Sequence, residues 1–127
     1  MSQEKSSELG SIVWTDLTVK DADGVSEFYQ NVVGWRPGTV SMGDYDDFTM
    51  NLKESGDTVA GVCHAKGSNA SLPAQWLMYV KVASVLDCID IVENCGGKII
   101  DGPRKIGSGS FCVIEDPAGA VLALIDE

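Results

Sequence analysis

The sequence has few basic residues, and this shortage limits the partners that the protein can bind. Its 127 residues include 9 Lys and Arg against 19 Asp and Glu, which gives a net charge of -10 and a pI near 4.3. Affinity for nucleic acid rests mainly on Lys and Arg that neutralise phosphates. We therefore expect no nucleic-acid partner and no attraction to an anionic membrane surface. Neutral or cationic small molecules remain as ligands.

Long hydrophobic runs are also absent. No apolar stretch approaches the roughly 18 residues that cross a bilayer. Residues 1–10 lack the basic start and apolar run of a secretory signal. These absences predict a cytoplasmic protein with no membrane partner, in which residues 1–10 form a flexible tail.

Histidine and paired cysteines are scarce as well. The only histidine is His64, and no two cysteines have the Cys-x-x-Cys spacing; the four are Cys63, Cys88, Cys95 and Cys112. A structural zinc site usually needs four Cys or His ligands in close pairs, so this pattern gives it little support. A chain of this length can build a core without disulfides, and we expect reduced thiols.

The remaining sequence repeats one order of predicted elements. Period-two and helical hydrophobic patterns predict a strand, a helix and three strands, followed by a polar linker and the same order again. The predicted strands are 11–19, 38–43, 46–52 and 58–64, then 75–82, 98–101, 110–115 and 120–125; the helices are 21–33 and 84–95. The sequence therefore predicts one domain over 11–127, with modules 11–64 and 74–127 joined by linker 65–73.

The two modules align without a gap when 63 is added to each residue number of the first. Paired positions then share roles: Asp21 and Ser84 are helix N-cap types, Gly34 and Gly97 end the helices, and Phe28 and Ile91 are predicted to face the core. One module alone is too small to bury much core. We therefore expect the two βαβββ modules to share one sheet system.

Several short motifs resemble those of the vicinal oxygen chelate superfamily. The first module has WTDLTVKD at 14–21, Phe28-Tyr29 and Gly34-Trp35, and its fourth strand has Val59-Ala60-Gly61; the second has Trp76-x-x-Tyr79 and EDPAGA at 115–120. This superfamily includes glyoxalase I, bleomycin-resistance proteins, fosfomycin-resistance enzymes and extradiol dioxygenases, and the pattern is similar to its glyoxalase-like subgroup. The resemblance implies an α+β fold, in which the modules form a curved, eight-stranded, partly open barrel with the helices outside. Members of this superfamily often pair into homodimers, but the repeat within one chain could also close a cup as a monomer, so both states remain open.

The resemblance further implies which positions would hold a metal. Metal-dependent members take one ligand from the first and the last strand of each module, and these positions correspond here to Trp14, Ala60, Leu77 and Ala123. None of these side chains can ligate a divalent cation, which prefers His nitrogen or carboxylate oxygen. We therefore predict no metal and no other cofactor.

Strand alternation from these positions predicts the lining of the concave face. The predicted ligand-binding residues are Trp14, Asp16, Ala60, Val62, Leu77, Tyr79 and Ala123. A largely apolar lining with an aromatic platform and a few polar groups is typical of a small-molecule site. The alternative is that these side chains fill the face themselves, with Trp14 in the vacant metal position.

The sequence therefore predicts a metal-independent protein that binds a neutral or cationic aromatic small molecule. A second hypothesis is a metal-independent lyase or isomerase, for which the catalytic candidates are Asp16, His64, Tyr79 and Lys81. His64 has an ordinary pKa near neutrality and suits acid–base chemistry, but a solvated histidine at a strand end is the favoured explanation. A third hypothesis is a module that only contacts a partner protein.

Overall fold

A computed structural model describes residues 8–126. Within them the order strand, helix, strand, strand, strand occurs twice. The first set is β1 (Ile12–Val19), α1 (Ala22–Val33), β2 (Arg36–Ser41), β3 (Asp46–Asn51) and β4 (Thr58–His64); the second is β5 (Trp76–Lys81), α2 (Val85–Asn94), β6 (Lys98–Ile106), β7 (Gly109–Glu115) and β8 (Val121–Ile125). A short 3-10 helix, Gly67–Asn69, precedes β5. The predicted α+β class and the repeated βαβββ order are confirmed.

The chain divides into two compact units. The N-terminal unit is Thr15–Trp76, and the C-terminal unit combines the described residues 8–14 and 77–126. The strand order is β2-β3-β4-β1 in the first and β5-β8-β7-β6 in the second. In both, the outer hairpins are antiparallel, whereas β1 with β4 and β5 with β8 are parallel. Most of the predicted tail, 1–7, lies outside the described residues.

Both helices begin at the N-caps that the sequence predicts, and α1 ends at the predicted Gly34, whereas the C-cap of α2 is Cys95 and not Gly97. The Asp21 carboxylate accepts a hydrogen bond from the Gly24 amide at 3.0 Å, and the Ser84 hydroxyl accepts one from the Asp87 amide at 3.2 Å. These bonds satisfy amide groups that have no partner within the helix. Gly34 ends α1 with a left-handed φ of 86°, which glycine adopts without a steric penalty.

Each unit has its own buried cluster beneath its helix. In the N-terminal unit, Ala22 of α1 is buried with Met50, Ala60 and Val62. In the C-terminal unit, Val85 of α2 is buried with Cys112 and Leu124, and Cys88, Ile89 and Val92 of α2 pack against them.

The prediction that Phe28 and Ile91 face the core is wrong, because they are 55% and 59% exposed. At 100° per residue, the inward stripe that starts at Ala22 continues through Val25 and Ser26, and Phe28 lies outside it.

The gapless correspondence between the modules fails where β1 meets β4. Asp16 pairs with Gly61, whereas Tyr79, its counterpart in the second module, pairs with Ala123. By its pairing with the parallel strand, the counterpart of Ala123 is therefore Gly61 and not Ala60. Val59 is also an extra, bulged residue near the start of β4, because Met50 pairs with Ala60 and Asn51 pairs with Thr58. This bulge does not cause the shift, since Met50 pairs with Ala60 just as Val113 pairs with Ala123.

Candidate functional site

The C-terminal unit presents a sheet face on the side away from α2. Val80, Val82, Leu122 and Leu124 pack toward α2, so strand alternation directs the intervening side chains to the opposite side. We call this opposite side the Tyr79 face; it comprises Leu77, Tyr79, Phe111, Val113 and Ala123. Three predicted ligand-binding residues, Leu77, Tyr79 and Ala123, lie on it together.

Two charged residues of β6 join this face. Arg104 pairs with Phe111 and Asp101 pairs with Val113, which places both side chains on the Tyr79 side. The Arg104 guanidinium lies 4.7 Å from the centroid of the Phe111 ring and forms an ion pair with Asp101. The Tyr79 and Phe111 ring centroids are 6.2 Å apart. The face therefore holds a planar cation over an aromatic ring, beside a carboxylate that balances its charge.

Burial distinguishes the floor of the Tyr79 face from its edge. Leu77 and Ala123 are 1% and 0% exposed, and Tyr79 and Phe111 are also buried. The side chains of Arg104 and Asp101 retain 24% and 18% of their exposure. The Phe111 ring is therefore covered by this ion pair, which forms the more exposed edge of the face.

The N-terminal unit has an acidic cluster around Cys63, on the side away from α1. Burial is the main cause that raises the pKa of the Cys63 thiol to about 12, and the nearby carboxylates of Asp16 and Asp47 contribute to the same rise. Asp47 is itself buried, and it accepts a hydrogen bond from the His64 amide at 2.8 Å. Two carboxylates that oppose the formation of a thiolate indicate a negative potential on this side of the sheet.

Ala60 and Val62 do not share a side with Asp16. They are buried with Ala22 of α1, whereas the residue that pairs with Asp16 is Gly61. The prediction that Ala60 and Val62 line one face with Asp16 is therefore wrong. Trp14 lies in β1 immediately before the boundary between the units.

His64 is buried on the α1 side of the sheet and is not solvated. It is 7% exposed, its ring lies 5.2 Å from that of Tyr45, and its Nε2 is 3.7 Å from a carboxylate oxygen of Asp23. Its Nδ1 has no hydrogen-bond partner among the described residues. Since Asp16 lies on the other side of this sheet, Asp16 and His64 cannot act on one bound molecule.

The predicted metal positions do not fit a divalent cation. With Gly61 in place of Ala60, the set is Trp14, Gly61, Leu77 and Ala123, and none of these offers a nitrogen or oxygen lone pair from its side chain. Residues 8–126 also contain no group of three His, Cys, Asp or Glu that could hold a metal. No reaction step through a metal follows from these residues.

Asp101, Arg104 and Phe111 are not among the site residues predicted from the sequence. The sixth strand was predicted to end at residue 101, whereas β6 continues to Ile106 through two register shifts. Phe111 could have been found, because it alternates with Val113 in a strand that was predicted. Lys81 pairs with Ile125 and is half-buried, and alternation places it on the same side as Tyr79.

This βαβββ repeat, with its paired parallel strands, defines a glyoxalase-type fold. The family model described as "Glyoxalase/Bleomycin resistance protein/Dioxygenase superfamily" matches residues 11–124. The chain therefore belongs to this superfamily.

The sequence identity to individual relatives is below 30% for the two described next. The chain is 26% identical to CFP32 of Mycobacterium tuberculosis, which is named as a candidate glyoxylase, over 93% of the chain and 44% of that protein. It is 29% identical to the anthracycline biosynthesis protein DnrV of Streptomyces peucetius, over 91% of the chain and 46% of that protein. The chain thus spans less than half the length of these relatives.

Solved structures support the fold. A variant of the methylmalonyl-CoA epimerase of Streptomyces coelicolor, in complex with 2-nitronate-propionyl-CoA, matches with a TM-score of 0.54 and 16% identity, over 94% of this chain and 99% of that chain. At this identity the likeness shows the fold alone. Among the described residues, no helix is both long and apolar enough to cross a membrane.

Proposed function

We propose that the protein binds a planar aromatic small molecule, neutral or cationic, on the Tyr79 face without a metal. The observation that carries this proposal is the cation–π contact between the Arg104 guanidinium and the Phe111 ring. The guanidinium is a planar cation, and a planar aromatic cation could make the same contact with this ring. An aromatic cation would replace Arg104 on the ring and interact with Asp101. A neutral aromatic molecule would stack on Tyr79 or on the guanidinium itself.

The net charge of the protein and its sequence similarity to a relative support the same ligand class. The net charge of -10 attracts cations over a distance and repels anions. Its relative DnrV is named for anthracycline biosynthesis, and anthracyclines are polycyclic aromatic compounds. The small side chain of Ala123 pairs with Tyr79 and leaves the floor of the face flat.

The test is a fluorescence titration with N-methylacridinium, a planar cation, and with anthracene-9-carboxylate, an anion of similar size. We expect Phe111→Leu to weaken binding of the cation about tenfold, because a cation–π contact contributes on the order of 1–2 kcal/mol. Asp101→Asn should lower the affinity for the cation but not the affinity for a neutral ligand. Phe28→Leu, which removes an exposed ring from α1, is the matched control and should bind as the wild type does.

Equal binding by Phe111→Leu and the wild type, or tighter binding of the anion, would contradict the proposal. Metal analysis of the tag-free protein, with a thermal-shift titration of Ni²⁺, Zn²⁺, Mn²⁺ and Fe²⁺, tests metal independence separately. One tightly held metal per chain would refute that part. Light scattering distinguishes a homodimer from a monomer.

A further inference from the structure

A second apolar space lies in the C-terminal unit, on the α2 side of its sheet. Its volume is about 290 Å³, and we call it the α2 groove. Val82, Ile114 and Leu124 line it from the strands, and Cys88, Val92 and Cys95 line it from the helix and its C-terminal cap. Because Leu124 faces α2, the groove lies on the side of the sheet opposite the Tyr79 face, and it is independent of the function proposed above.

The N-terminal unit shows why this space is open. The counterpart of Val92 is Tyr29, whose ring centroid lies 5.9 Å from that of Trp35 and 5.3 Å from that of Trp76. Trp76 also donates a hydrogen bond to the Tyr29 hydroxyl at 3.1 Å. Three aromatic rings thus pack beside α1, whereas a valine stands at the corresponding position of α2. At the corresponding position the N-terminal unit therefore packs aromatic side chains against its helix, whereas the C-terminal unit has no aromatic side chain there and leaves the α2 groove open.

Size and polarity define the occupant. An apolar cavity of about 150 Å³ holds benzene, so a space of 290 Å³ suits two fused rings. The thiols of Cys88 and Cys95 can make sulfur–aromatic contacts. Glu115 and Asp116 also border the groove, and their carboxylates disfavour an anion. We propose that the α2 groove binds a neutral two-ring aromatic molecule of the size of indole or naphthalene.

The first experiment is calorimetric titration of the full chain with indole and with indole-3-carboxylate. We expect indole to occupy the α2 groove with one site per chain, in addition to any binding on the Tyr79 face, and the carboxylate to bind the groove several-fold more weakly. Val92→Phe places an aromatic ring in the groove and should lower the affinity for indole at least tenfold. The matched control is Leu86→Phe, which adds the same ring to α2 at a position that is 63% exposed and outside the groove, and it should leave binding unchanged.

A second measurement does not depend on a variant that must fold. Cys95 is exposed, whereas Cys112 is buried, so Cys95 should react first with a thiol reagent. Saturating indole should slow this reaction at least threefold in the wild type and equally in Phe111→Leu, which separates this site from the Tyr79 face. The proposal is overturned by unchanged Cys95 labelling, by Val92→Phe binding indole normally, or by a dimer that occupies the groove and excludes indole.

Discussion

The Asp126 carboxylate offers the sharpest test of how α2 is held to its sheet. One of its oxygens accepts a hydrogen bond from the Val85 amide at 2.8 Å, and the other accepts one from the Ser110 amide at 2.6 Å. Val85 is the first residue of α2, and Ser110 lies in β7. A single side chain thus joins the start of the helix to a strand distant in sequence, and its charge also favours the helix N-terminus.

The expected loss follows from these two contacts. A hydrogen bond to a charged group contributes about 1.5–3 kcal/mol. Because both bonds of Asp126 are only partly buried, we use the lower figure for each and expect Asp126→Ala to lose about 3 kcal/mol. Asp126→Asn keeps one neutral acceptor and should lose about half of that. The native state remains populated, since domains have about 5–15 kcal/mol of stability.

Urea unfolding, followed by tryptophan fluorescence, measures this loss. With a slope of about 2 kcal/mol per molar urea, Asp126→Ala should unfold at a urea concentration about 1.5 M lower than the wild type. Asp116→Ala is the matched control, because Asp116 also accepts two backbone amides, from Ala118 and Ala120, but in an exposed turn. It should lose no more than about 1 kcal/mol. Equal losses at Asp126 and Asp116 would refute the reasoning.

Two further predictions concern buried groups of the N-terminal unit. The pKa of Cys63 is raised from 9.0 to about 12, so the folded protein keeps a proton that the unfolded chain loses. The free energy of unfolding should therefore fall as the pH rises from about 9 towards 12, and urea midpoints should fall less steeply in Cys63→Ala; identical pH profiles would count against the buried thiol. His64→Phe should lower the free energy of unfolding by less than about 1 kcal/mol, because Nδ1 makes no hydrogen bond that the variant would lose. His64→Ala should lower it by about 2–4 kcal/mol, because it leaves a cavity. Thermal unfolding compares the two variants, and a costlier Phe would show that the imidazole makes an essential polar contact.

Local signals in the sequence were sufficient to predict most elements. Asp21, Gly34 and Ser84 act through contacts with their own neighbours in the chain, and the helices begin and end at them. The strand Thr58–His64 was predicted at its observed bounds, because its hydrophobic run and flanking turns are local too.

Relations between strands were harder to predict. Nothing local to β1 shows that Asp16 pairs with Gly61, since the register of a strand is defined by its partner strand. Counting 63 residues back from the second module therefore assigned Ala60 and Val62 to the wrong side. The prediction that Phe28 faces the core failed for a related reason. The apolar residues of a helix indicate its buried side only when the centre of that side is known, and in α1 the buried side is centred on Ala22.

The difference in register also bears on how repeated modules are compared. Within each hairpin the pairs correspond after 63 residues are added, since Met50 pairs with Ala60 and Val113 pairs with Ala123. The parallel pairing does not correspond in this way, because Asp16 pairs with Gly61 and Tyr79 pairs with Ala123. A hairpin can thus keep its own pairing while it lies one residue further along the parallel strand beside it. Equivalent positions in such modules therefore have to be matched by strand pairing and not by an alignment without gaps.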